Sequence, residues 1–101
     1  MHRLLVTYPN PPEPEHFLDY YFKHHLPLAR TLPGLLDCRY IQPQALDSAG
    51  EVAFLLFEAD FADAGAMFDA LGSVVGAKVA ADVSNYSPGG ATLMHYDVPA
   101  R

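Results

Sequence analysis

Tyr21, His24 and His25 are the residues of this chain best suited to moving a proton. They lie in the segment Phe17-Leu-Asp-Tyr-Tyr-Phe-Lys-His-His-Leu-Pro-Leu-Ala-Arg-Thr-Leu-Pro-Gly-Leu35. An imidazole beside a phenol can take a proton from an acidic carbon or hydroxyl while the phenol binds the oxyanion that forms. In a helix Tyr21 sits one turn before His25, so both side chains reach the same region. At 100° per residue, Phe17, Tyr21, His24, His25 and Leu28 share roughly a third of the helix circumference. Glu15, Asp19 and Lys23 fall on the other side. A phenol and two imidazoles on a buried-looking face cost free energy unless each finds a partner. A plain core would use Leu or Ala there, so a ligand or a polar partner is expected to meet this face. Two structural roles compete: His25 capping carbonyls at the helix end, and His24 packing beside Tyr20.

Fewer signals come from elsewhere in the chain. His95 and Tyr96 alternate on a strand, so one faces the helices and the other the opposite side of the sheet, and a one-residue shift of register exchanges them. Tyr96 is retained as a candidate ligand contact, together with Phe17, Leu28 and His24. Asp37 is placed either to orient His25 or in a surface pair with Arg39. Asp82, alone in the apolar run Ala80-Ala-Asp-Val83, is read as capping the following turn through backbone amides. Adjacent His24 and His25 diverge too far to chelate one ion, and no His-x-x-x-His or Cys-x-x-Cys pair occurs. A lone axial histidine for haem has no further support. With no glycine-rich phosphate loop and no Gly-x-Ser-x-Gly motif, neither a cofactor nor a metal is expected.

The elements that must position these groups follow from pattern. Residues 3–8 read as a strand, and 14–31 as a helix opened by Pro14 and weakened at Leu26-Pro27. A strand over 36–46, a turn over 47–50 and a strand over 51–58 read as a hairpin. Asp60 is expected to cap a helix ending near Leu71 with Ala64, Met67, Phe68 and Leu71 as its apolar stripe. Gly72-Ser73 breaks that helix, a second short one runs over 74–83, residues 87–90 turn, and 91–98 form the last strand. The order β-α-β-β-α-β predicts an α+β, ferredoxin-like fold: a four-stranded antiparallel sheet with both helices on one face.

At 101 residues the chain is expected to be a single domain over 1–101. It is 50% hydrophobic and 18% charged, which is apolar for this size. The run Glu51-Val-Ala-Phe-Leu-Leu-Phe-Glu58 is apolar on both sides, so its second face needs a cover. Another subunit's sheet is the simplest one, which predicts a homodimer through sheet faces. A net charge of −6 with scattered basic residues excludes a phosphate-backbone binder, so no nucleic-acid partner is expected. No apolar run nears the roughly 20 residues that span a bilayer, so no membrane association is expected. The opening Met1-His-Arg-Leu-Leu-Val-Thr-Tyr8 lacks a long apolar core and a cleavage site, and a cytoplasmic protein is expected. Cys38, the one cysteine, reads as a small buried hydrophobe.

The pattern Phe17-x-x-Tyr-Tyr-x-x-His-His-x-Pro-Leu-Ala, with Leu32-Pro-Gly-Leu35 and the later Ala81-Asp-Val-Ser-Asn-Tyr86, resembles the EthD family across nearly the whole chain. The resemblance implies a dimeric α+β barrel of two ferredoxin-like subunits. The family's namesake is associated with bacterial degradation of alkyl tert-butyl ethers. Related barrel families include cofactor-independent monooxygenases and lactone isomerases. Together these imply a small apolar organic ligand held between helix and sheet, with cofactor-free acid–base chemistry at His25 assisted by Tyr21. The alternatives are a non-catalytic dimer supporting a partner oxidase, and a structural dimer whose histidines only satisfy hydrogen bonds.

Overall fold

The computed structural model describes residues 1–99. Its elements are β1 (His2–Tyr8), α1 (Pro14–Tyr20), a π-helical turn (Tyr21–His25), α2 (Leu26–Ala29), β2 (Asp37–Ile41) and β3 (Leu55–Phe61), followed by α3 (Ala64–Leu71), α4 (Val74–Asp82), a 3₁₀ turn (Val83–Asn85) and β4 (Thr92–Asp97). All strand pairs are antiparallel, in the order β2-β3-β1-β4. This is the ferredoxin-like α+β architecture that the element order predicts.

Register decides which residues face the helices. Leu4 lies between Ala59 and His95, and Val6 between Phe57 and Leu93, so these side chains share one face. That face packs against Phe17, Tyr21, Leu26 and Ala29 from the first helical segment and Met67 and Ala70 from α3. The same register puts His95 on the helix side, in contact with His2 and Phe68, and Tyr96 on the opposite side beside Arg3.

The first helix accommodates Pro27 by widening. Pro27 has no N–H to give the Lys23 carbonyl, and its ring crowds that carbonyl. The Leu26 N–H reaches back five residues to the Tyr21 carbonyl, which makes 21–25 a π turn. Both Tyr21 and His25 still point inward and are buried.

Three boundaries differ from the sequence pattern. The third strand is Leu55–Phe61, several residues later than the expected 51–58. Within it Leu55, Phe57, Ala59 and Phe61 are buried while Leu56 and Glu58 are half-buried, so it alternates and is not apolar on both sides. The expected cap, Asp60, belongs to this strand. It is only 2% exposed. Arg3 Nε donates to its Oδ1 at 2.6 Å and Arg39 Nη2 to its Oδ2 at 2.7 Å, and these partners on neighbouring strands are what let a carboxylate occupy a strand. Asp63 caps α3 instead, accepting from the Ala66 N–H at 2.8 Å. The second strand ends at Ile41, well before the expected 46, and 42–54 form an irregular connection around Pro43. Phe68, expected in the buried stripe of α3, is exposed, and Ala70 is buried in its place.

Local signals elsewhere match the structure. Ser73 caps α4 through the Gly76 N–H at 3.0 Å. Gly76 is required at the α3–α4 corner, where a Cβ would overlap the Ala70 and Leu71 carbonyls. No single helix among the described residues is long and apolar enough to cross a membrane.

Candidate functional site

Between the helices and the inner face of the sheet lies a cavity of about 240 Å³. β1 supplies Leu4, Val6 and Tyr8 to its wall, α4 supplies Val79, and β4 supplies Leu93. Among the described residues only two lining side chains are polar, His25 and Tyr8. A more open groove of about 650 Å³, bordered by Pro9, Asn10, Glu51 and Thr92, adjoins it at Tyr8 and Ala91.

His25 is 3% exposed, and its Nδ1 lies 2.9 Å from Asp82 Oδ2. Asp82 is itself held. The Tyr20 hydroxyl donates to its Oδ1 at 2.6 Å, and Asn85 Nδ2 donates to the same oxygen at 2.9 Å. Burial pushes the Asp82 carboxyl up, but the hydrogen bonds from Tyr20, Asn85 and His25 outweigh burial and hold it below its ordinary value. An ionised Asp82 takes the proton on Nδ1, so in neutral His25 the lone pair is on Nε2. Burial lowers the His25 pKa, with Asp82 opposing, so the imidazole is neutral at pH 7. A carboxylate-backed, neutral imidazole in an apolar cavity is arranged as a general base.

Tyr8 and Tyr86 share a hydrogen bond of 2.7 Å between their hydroxyls, both deep inside the protein. Burial pushes the Tyr8 phenol up to about 12, with the hydrogen bond from Tyr86 opposing, so it stays protonated. Tyr86 packs on His25 with ring centroids 4.6 Å apart, which places the tyrosine pair beside the base.

An EthD family protein from Bacillus halodurans has the same fold with a TM-score of 0.86 and 27% identity, over 98% of this chain and 99% of that one. The likeness spans essentially the whole of both chains. An uncharacterized 11.0 kDa protein from the thcB–thcC intergenic region of Rhodococcus erythropolis is 29% identical over 96% of this chain and 94% of its own length. A dimeric ferredoxin-like protein from Thermobifida fusca shares the fold at a TM-score of 0.72 and 11% identity, over 96% of this chain and 90% of that one. No family model matches the chain.

In this chain the two motifs meet: His25 belongs to the first, and Asp82 and Tyr86 to the second. Asp82 is therefore a side-chain partner of His25, Tyr20 and Asn85, and not the backbone cap that its local context suggested. Tyr21 lies 5.4 Å from His25 between ring centroids, but its hydroxyl is fully buried, outside the cavity wall, and without a hydrogen-bond partner among the described residues. Burial raises its pKa strongly.

The other candidates stand apart from the cavity. Phe17 is fully buried in the core, stacked on Tyr21. His24 is exposed, against Tyr20 at 4.9 Å, because it lies one residue round the helix from His25. Leu28 is half-buried and outside the lining. Asp37 is exposed on the far edge of the sheet and pairs with Arg39 at 3.2 Å. Tyr96 is excluded by register, which turns it to the opposite face from the cavity. Sequence reasoning missed Tyr8 and the Asp82 contact. A signal for Asp82 was present: a lone carboxylate on an apolar helix needs a partner, as does a buried imidazole.

Proposed function

We propose that the protein binds a small, neutral, largely apolar organic molecule in the cavity, where His25, oriented by Asp82, serves as a cofactor-free general base. The observation that carries this reading is the pairing of the Asp82–His25 contact with a cavity whose remaining wall is almost wholly hydrocarbon. Such walls favour apolar ligands, with a few polar groups fixing orientation. A cavity of about 240 Å³ is smaller than ordinary drug-sized sites, which limits the occupant to roughly ten heavy atoms. Ethyl tert-butyl ether, after which the family of the Bacillus halodurans relative is named, is within that size.

The functional unit is proposed to be a homodimer joined through the outer sheet faces. That face carries Leu5, Ile41, Leu56, Met94 and Tyr96 around the Arg3–Asp60–Arg39 cluster, and the last two side chains are about two-fifths exposed. The Thermobifida fusca protein of the same fold is described as dimeric.

The binding test is an NMR titration with ethyl tert-butyl ether, reading the His25 ring and the methyls of Leu4, Val6 and Val79. Saturable shifts confined to these groups are expected, and Val79→Phe, which narrows the cavity, should abolish them. Shifts elsewhere, or none, would count against the site. Sedimentation should give twice the 11.1 kDa chain mass; a lone protomer at micromolar concentration would sink the dimer.

A further inference from the structure

The two polar groups in the cavity wall form a complementary pair. His25 Nε2 offers a lone pair, and the Tyr8–Tyr86 couple has a spare proton, since two hydroxyls joined by one hydrogen bond use only one of their two. If Tyr8 donated, the proton of Tyr86 would be left over, and that hydroxyl is buried away from the cavity lining. An unused buried donor is costly. If Tyr86 donates, the leftover proton belongs to Tyr8, which borders the cavity, where a ligand oxygen can accept it. The second arrangement wastes nothing.

We propose that Tyr8 is the oxyanion donor of this site and that the substrate class is a neutral ketone or aldehyde with an α-hydrogen, isomerised through its enol. The proposal rests on the reading of His25 as the cavity base. His25 Nε2 takes the α-proton, the C–H electron pair becomes the new C=C bond, and the carbonyl π pair moves to oxygen, which accepts the Tyr8 hydroxyl. The oxyanion then re-forms the carbonyl while the C=C pair takes the proton back from the imidazolium at the α carbon, on either face, or, where the substrate carries a β,γ double bond, at the γ carbon with that double bond moving into conjugation. Atoms and electrons balance with no oxidant. An ether has no proton acidic enough for the base, and a carboxylate would bring a charge that no wall residue neutralises. Preorganised donors aimed at the forming oxyanion carry much of the acceleration in such steps.

The experiment follows α-hydrogen exchange of cyclohexanone in deuterated buffer by NMR, with binding read separately by saturation transfer. Tyr8→Phe and Tyr86→Phe both break the same hydrogen bond, so any shared loss of stability cancels in the comparison. Only Tyr8→Phe removes a hydroxyl from a residue of the cavity wall. The wild-type protein should exceed buffer, Tyr8→Phe should fall about a hundredfold, and Tyr86→Phe should stay within about tenfold of wild type. Equal loss in both variants would overturn the assignment of Tyr8, and so would cyclohexanone that binds to wild type without exchange. Exchange that survives His25→Gln, or wild-type protein that binds no cyclohexanone, would instead overturn the reading of the base and the cavity beneath it.

Discussion

Asp82 Oδ2 and His25 Nδ1 sit 2.9 Å apart although 57 residues separate them in the chain. The contact joins the first helical segment to the end of α4 and selects the ring nitrogen that keeps its lone pair. Tyr20 and Asn85 hold the carboxylate from its other oxygen, so the imidazole is fixed by a partner that is itself fixed.

Acidification should weaken the fold in two steps of the same sign. Burial places the folded His25 value below its ordinary 6.5, so the stability gained from a neutral ring is complete above 6.5 and is lost as pH falls from there through the folded value. Asp82 is held below 3.8, so its contribution is lost only as pH falls through that lower window. Urea midpoints against pH should show both steps, and His25→Gln should erase the upper one. Any turnover should show an acid limb below 6.5; a limb above it would contradict a depressed imidazole.

Asp82→Asn should lower the His25 pKa further, because it removes the charge and the ionised acceptor that raise it. Asp82→Ala should cost about 2–3 kcal/mol, the scale of lost hydrogen bonds to a charged group. Titration of the His25 ring resonances checks the first statement, and an upward shift would refute it.

Tyr21→Phe should leave stability unchanged or raise it by about 1 kcal/mol, since it deletes a buried hydroxyl with no partner and keeps the ring that packs on Phe17 and His25. Ligand affinity should not change. A loss of affinity in this variant would return Tyr21 to the binding site.

Asp60→Asn should cost on the order of 3 kcal/mol, because it removes the buried carboxylate between Arg3 and Arg39 and leaves them only the longer contacts to Glu58 and, for Arg39, Asp37. The triple replacement Arg3→Met, Arg39→Met and Asp60→Leu should recover most of that loss. Thermal denaturation of the two variants side by side is the measurement. A triple variant no better than the single one would show that the cluster contributes more than charge neutralisation.

Features decided within a few residues were legible in the sequence. The element order, the Pro14 helix start, the Ser73 break and the turn at Ser87–Gly90 all rest on local backbone chemistry, and the structure holds each of them. Features decided across the sheet were not. Asp60 looks like a helix cap because its neutralising arginines arrive from β1 and β2. Tyr8 was read only as a strand end, since its face depends on pairing with Leu55. Asp82 has a plausible local role as a cap, and the better long-range role appears only when α4 is laid against the first helical segment.

The π turn at Tyr21–His25 has a consequence for indels. One surplus residue is stored there, between Phe17, anchored before it, and Ala29, anchored after it. Deleting Lys23 would let the spiral relax to ordinary winding without turning the two anchors apart, because eleven residues at 100° bring Ala29 back to within about 20° of Phe17. A further insertion there would find the wide turn already used, and would swing one side by about 100° relative to the other, taking the imidazole away from its carboxylate. This spot therefore tolerates a shorter chain better than a longer one.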